Sequence, residues 1–146
     1  MCNVPIENEI KIIFNNSDTL MELLNTLQRD KIEQYYCDGG RVRSYNNDKY
    51  IFTFKKLLND NTNLVIETDI SKSCFEISKS ISESYITKAR YYFDNCEIDV
   101  FDDGLVMCEM EGNNHILPKI LTKHVQKYIK HGDKKYSNKS LSKPLK

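Results

Sequence analysis

Along this chain the charges come in same-sign pairs two residues apart. Glu7 and Glu9, Arg41 and Arg43, Glu67 and Asp69, Lys88 and Arg90, Glu97 and Asp99, and Glu109 and Glu111 all keep that spacing. Side chains at i and i+2 of a β-strand share one face, so each pair marks a strand with an ionised side. Ile10, Ile12, Val42, Ile98, Val100, Cys108 and Met110 fall on the other side and are apolar. A half-solvated antiparallel strand alternates in this way too. Like charges on one face repel, however, and repeating them in strand after strand costs stability unless a counter-charge lies between them. A closed β-barrel that holds a polyanion and metal ions inside supplies that counter-charge. Its acidic pairs would take Mg²⁺ or Mn²⁺, which prefer carboxylate oxygens. Its basic pairs would take phosphate oxygens, Arg by a bidentate fork and Lys as a point charge.

The charges balance overall: 21 Lys and Arg stand against 21 Asp and Glu. That excludes a basic coat for nucleic acid, and no DNA partner is expected. With 40% hydrophobic residues in 146, and with no repeat or linker, residues 1–146 read as a single domain. No apolar run approaches the roughly 20 residues that span a bilayer, and MCNVPIENEI lacks the basic and apolar regions of a signal peptide. The expectation is a cytoplasmic protein with no membrane contact. Five cysteines without a CxxC pair read as free thiols, and His115, His124 and His131 fit no zinc spacing. Neither GxxxxGK nor GxGxxG occurs, and no Ser-His-Asp set is visible.

The alternation and turn signals predict strands at Glu7–Phe14, Gln34–Cys37, Arg41–Tyr45, Lys49–Lys55 and Leu64–Ile70. A meander follows at Thr87–Phe93, Glu97–Phe101 and Leu105–Glu111. Thr19-x-x-Glu22 reads as a capping box opening a helix with the stripe Leu20, Leu23, Leu24 and Leu27. Ser73–Ser84 is expected as a second helix, Leu57–Asn63 as a loop, Ile116–Ile129 as helical, and 134–146 as a basic C-terminal tail.

Glu7-x-Glu9-x-Lys11 resembles the ExExK signature of the CYTH superfamily, the triphosphate tunnel metalloenzymes. The likeness continues in order through Arg41-Val42-Arg43, Thr53-Phe54-Lys55, Lys88-Ala89-Arg90-Tyr91, Glu97-Ile98-Asp99-Val100-Phe101 and Glu109-Met110-Glu111. It closes at Lys135-Tyr136-Ser137-Asn138-Lys139-Ser140-Leu141, similar to the RYSNxxL ending of the short prokaryotic members. The resemblance implies an α+β fold: an eight-stranded antiparallel barrel with short helices packed outside. It also implies a metal-dependent triphosphatase with Mg²⁺ or Mn²⁺ as cofactor. Glu7, Glu9, Glu109 and Glu111 would be metal ligands, assisted by Asp99 and by Glu67 or Asp69. Lys11, Arg41, Arg43, Lys55, Lys88, Arg90 and Lys135 would grip phosphates, with Lys11, Lys55 and Lys88 as catalytic cations. The chain departs from the family at Asn63 and Val65, where an Arg is usual, and at Pro118–Gly132, which lacks the usual Trp.

The family includes inorganic, RNA 5′- and thiamine triphosphatases and class IV adenylate cyclases. Compactness favours a small substrate, inorganic tripolyphosphate. The absence of Trp weakens a thiamine reading, since indole is the best cation–π platform, and no adenine-specific pattern is visible. An RNA 5′ end stays open through the basic tail, as do a monomer and a homodimer. A non-catalytic sensor of a phosphorylated ligand is the other class considered; carboxylates beside a polyanion argue against it unless metal is present.

Overall fold

The structure is a computed structural model, described here for residues 6–7, 9–37, 39–59, 62–111, 116–130 and 133–145. β1 (Ile6–Glu7) and β2 (Glu9–Phe14) precede α1 (Asp18–Leu24). A first meander follows: β3 (Arg29–Cys37), β4 (Gly40–Tyr45), β5 (Lys49–Asn59) and β6 (Thr62–Asp69). After α2 (Lys72–Ser80) comes a second, of β7 (Ser84–Phe93), β8 (Cys96–Phe101) and β9 (Val106–Glu111). The chain ends through α3 (Lys119–Thr122), β10 (Val125–Ile129), a 3-10 turn (Lys134–Tyr136), α4 (Asn138–Leu141) and β11 (Lys143–Pro144). The turn between β4 and β5 has positive φ at both Asn46 and Asn47 (56° each). That is the conformation a tight hairpin needs, and Asn tolerates it.

The strands pair antiparallel in the order β1-β6-β5-β4-β3-β7-β8-β9-β2-β10, with β11 added on β7. The register puts the alternating charges on one face. Arg41 lies opposite Thr53 and Thr53 opposite Glu67. Arg90 lies opposite Asp99, Glu97 opposite Glu109, and Lys11 opposite Glu109 with Glu9 opposite Glu111. The other face is apolar and carries the helices. Leu20 and Leu24 of α1 pack on Ile12, Phe14, Ile98, Cys108 and Met110, while Phe75 of α2 packs with Tyr35, Val42 and Tyr50. A third apolar cluster, Ile13, Ile86, Phe101, Met107 and Ile129, lies at the end of the charged face.

The expected closed eight-stranded barrel is not the observed pairing. Ten strands form one open path, and no ladder joins β1 to β10 among the described residues. The reason lies in β2: from Lys11 to Phe14 it is paired on one edge by β9 and on the other by β10, so those residues have no edge left for β6. Only β1 reaches β6, over Ile6 and Glu7. One residue separates β1 from β2, so the two ends of the path lie close and the sheet must curl strongly.

Three other expectations change. Ile116–Ile129 contains a single helical turn, α3, and then β10; Val125, Tyr128 and Ile129 suit a strand against β2 better than a helix surface. Leu57–Asn63 is largely strand, since β5 runs to Asn59 and β6 begins at Thr62. The segment expected only as a basic C-terminal tail joins the sheet: β11 pairs with Tyr85 and Ser84 of β7.

Candidate functional site

Desolvated charge organises the inner face. Lys88 is 1% and Asp99 2% exposed, yet both carry ionisable heads. Lys88 Nζ meets Asp99 Oδ2 at 2.6 Å and donates to Asn138 Oδ1 at 3.0 Å. Arg90 donates from Nε to Asp99 Oδ1 at 2.8 Å and from a terminal nitrogen to Oδ2 at 3.0 Å, a bidentate fork; it also lies 3.4 Å from Glu97 Oε1. Burial alone would raise the Asp99 carboxyl, but Lys88 and Arg90 override it and hold it well below the usual carboxylate range. Burial pulls the Lys88 ammonium down to about 7, with Asp99 pulling the other way. Burial also opposes ionisation of Glu109, and Lys11 and the neighbouring Arg90 and Lys88 hold it at about 2 instead.

Beside this layer opens a cavity of about 680 Å³, lined among others by Glu9, Lys11, Tyr36, Arg41, Thr53 and Lys55. Lys11 Nζ lies 3.8 Å from Glu9 Oε1. Arg41 donates to Thr53 Oγ1 at 3.4 Å, while its buried Nε has no hydrogen-bond partner. Burial, with Arg43 beside it, lowers the Arg41 guanidinium. Arg43 is buried next to the cavity, donating to Gln34 Oε1 at 2.8 Å and to the Tyr45 hydroxyl at 2.9 Å.

The expected site residues therefore fall into three groups. Glu9, Lys11, Arg41 and Lys55 line the cavity. Arg43, Lys88, Arg90, Asp99 and Glu109 form the buried layer. The rest belong to neither group: Glu67 accepts from Thr53 Oγ1 at 3.3 Å on an exposed stretch of β6, Asp69 and Glu111 are exposed, and Lys135 is exposed with its Nζ 5.4 Å from the Tyr136 ring. Glu7 is placed in β1 opposite Asn63. Gln34 drew no role from the sequence, although Gln34 and Tyr36 share the i, i+2 spacing of the charged pairs; Asn138 stands in the C-terminal segment quoted above, but its contact with Lys88, fifty residues away, left no local signal.

A hard divalent cation fits the donor chemistry at β2 and β9. Glu9, Glu109 and Glu111 supply carboxylate oxygens on paired strands, and Glu109 Oε1 is buried without a hydrogen-bond partner. Among the described residues no three His, Cys, Asp or Glu side chains converge closely enough to hold an ion alone. A cation there would need further oxygens from a ligand or water, as Mg²⁺ commonly does.

The fold and this charged face define a class: a strongly curled antiparallel sheet with helices outside and ionised side chains within. Among solved structures, the chain is similar to the PH1012 protein of Pyrococcus horikoshii OT3, with TM-score 0.52 and 19% identity over 74% of this chain and 80% of that one. It is similar to a conserved hypothetical protein of Pyrococcus furiosus at TM-score 0.52 and 23% identity, with the same coverage. A candidate adenylate cyclase of Vibrio parahaemolyticus matches at TM-score 0.49 and 11% identity over 77% of this chain and 80% of that one, too distantly to support any functional point. No family model and no curated protein matches the chain. The likeness to the Pyrococcus proteins is one of fold.

Proposed function

We propose that this chain is a metal-dependent triphosphatase of the CYTH type, acting on inorganic tripolyphosphate in the cavity on the charged face of its curled sheet. The observation that carries the proposal is the convergence of Lys11, Arg41 and Lys55 on one cavity beside the buried layer of Arg43, Lys88, Arg90, Asp99 and Glu109. Three phosphates carry enough charge to offset such a set, and a neutral metabolite does not. In the proposed mechanism Lys11, Arg41 and Lys55 bind the phosphate chain and hold it in line for attack. Arg43 extends the cationic field from behind, its guanidinium fixed by Gln34 and Tyr45. Asp99, locked by Arg90, holds Lys88 in place as a source of positive potential for charge developing on the leaving oxygen. Glu9, Glu109 and Glu111 would hold Mg²⁺ or Mn²⁺, which would supply neutralising charge and a more acidic water there.

One observation favours a second reading, hydrolysis of a nucleoside triphosphate or an RNA 5′ end. The cavity, about 680 Å³, is in the range that takes drug-sized ligands, and Tyr36 and Phe54 on its lining could stack a base. Phosphate release from tripolyphosphate, ATP, thiamine triphosphate and triphosphate-ended RNA, each with metal and with excess chelator, tests both. Chelator-insensitive activity, or none on any compound, would sink the proposal.

A further inference from the structure

The cavity has a second cationic wall that charge alternation does not reveal. The C-terminal segment is fastened to the body by five contacts. β11 pairs with β7, and the Leu145 N–H donates to Glu83 O at 3.0 Å. Ser142 Oγ is 2.8 Å from Ser84 Oγ. Tyr136 and Leu141 pack on the cluster of Ile13, Ile86, Phe101, Met107 and Ile129, and Asn138 accepts from the buried Lys88. So fastened, the segment presents Lys134, Ser137, Asn138 and Lys139 to the cavity, with Lys130 just before them. The lining thus gathers six cations, three from the sheet, two from this segment and Lys130 before it, against the acids Glu9, Glu83 and Asp133. Bringing like charges from separate parts of the chain to one concave site raises the potential there and attracts an anion. Lys135, the position picked out by resemblance, is not part of that lining and lies over Tyr136 instead.

We propose that this C-terminal strap completes the ligand site, with Lys134 and Lys139 binding an anionic ligand together with Lys11, Arg41 and Lys55. Asn138 is the positioning residue that pins the strap to Lys88. The inference rests on the polyanion reading above and deepens it by adding binding residues. The test is calorimetric titration of the full-length chain with tripolyphosphate in the presence of Mg²⁺, alongside steady-state hydrolysis. Lys134→Ala/Lys139→Ala together should raise Kd at least tenfold and flatten its salt dependence, while kcat changes less than threefold. Lys134→Arg/Lys139→Arg should restore Kd to within threefold of the parent. Lys72→Ala, which removes one positive charge from α2 on the outer face, should leave Kd within twofold. A Kd for the double alanine variant within twofold of the parent overturns the strap's role and leaves the triphosphatase proposal standing. Tight binding without hydrolysis by the parent overturns the triphosphatase proposal alone, since the strap is judged by Kd. A parent chain that binds neither tripolyphosphate nor ATP overturns both.

Discussion

Asp99 is the residue on which the buried layer depends. It receives Lys88 at 2.6 Å and both arms of the Arg90 fork, so removing its charge strands two cations in a site 1–5% exposed. Breaking one partner of a buried ionic cluster costs about 3–5 kcal/mol, and Asp99→Asn should lose stability on that scale in a urea titration. Retention of the parent midpoint would contradict the cluster. The pH dependence has a definite sign. The folded carboxyl is held below its unfolded value of about 3.9, so its contribution is complete above that value and is lost as pH falls toward the folded one. Urea midpoints measured from pH 6 downward should fall below about pH 5 in the parent and do so less steeply in Asp99→Asn. Equal slopes would assign the acid sensitivity elsewhere.

At the scale of elements, local signals placed most of the strands and both longer helices but misjudged their ends. Thr19 resembled a cap, yet α1 begins at Asp18, with the Ser17 hydroxyl accepting from the Leu20 N–H at 3.1 Å. Ser17→Ala should therefore cost about 1 kcal/mol and Thr19→Ala clearly less in thermal unfolding; the reverse order would restore Thr19 as the cap. Gly40 shows what no pattern could announce. A Cβ there would sit 2.6 Å from the Phe52 ring and 2.9 Å from the Thr53 carbonyl oxygen, so Gly40→Ala should destabilise by about 1–3 kcal/mol through overpacking, and a neutral effect would show that β4 and β5 can part cheaply. The charged pairs were legible because a period of two survives in the sequence whatever the strand's partner. The strand β10 was not: Pro118 and the spacing after it suggested a helix, and only the free edge of β2 makes Val125–Ile129 extended. The strap's sequence was marked by resemblance, but its docking was hidden, because Asn138 and Lys88 are joined by tertiary geometry alone. The metal-ligand and phosphate-binding roles are what the resemblance implies, and the structure adds that Glu9, Lys11, Arg41 and Lys55 line one cavity.

Across the whole molecule, the curled sheet sorts charge into a buried cluster in which Lys88, Arg90 and Asp99 offset one another and a cavity lining in which cations outnumber acids. Arg90 and Asp99 satisfy each other, whereas the cavity lining carries six cations against three acids. That division implies that the ligand is selected by its charge at the cavity and that its shape matters less. Tripolyphosphate concentrates its anionic oxygens in a short chain that Lys11, Arg41 and Lys55 can meet together. In ATP one end of that chain is esterified, and the nucleoside must find room of its own in the cavity. Pyrophosphate is too short to engage the same cations while keeping its terminal group in line for attack. The expected order of kcat/KM, at saturating Mg²⁺ and equal ionic strength, is tripolyphosphate above ATP, with pyrophosphate bound but turned over poorly. Glu109→Gln should lower all metal-dependent turnover by at least a hundredfold, because the buried carboxylate oxygen left without a partner is the one best placed to take a cation. A preference for ATP of tenfold or more, about 1.4 kcal/mol in transition-state binding, would mean that Tyr36 and Phe54 at the lining recognise the base, and the nucleotide reading would then replace the inorganic one.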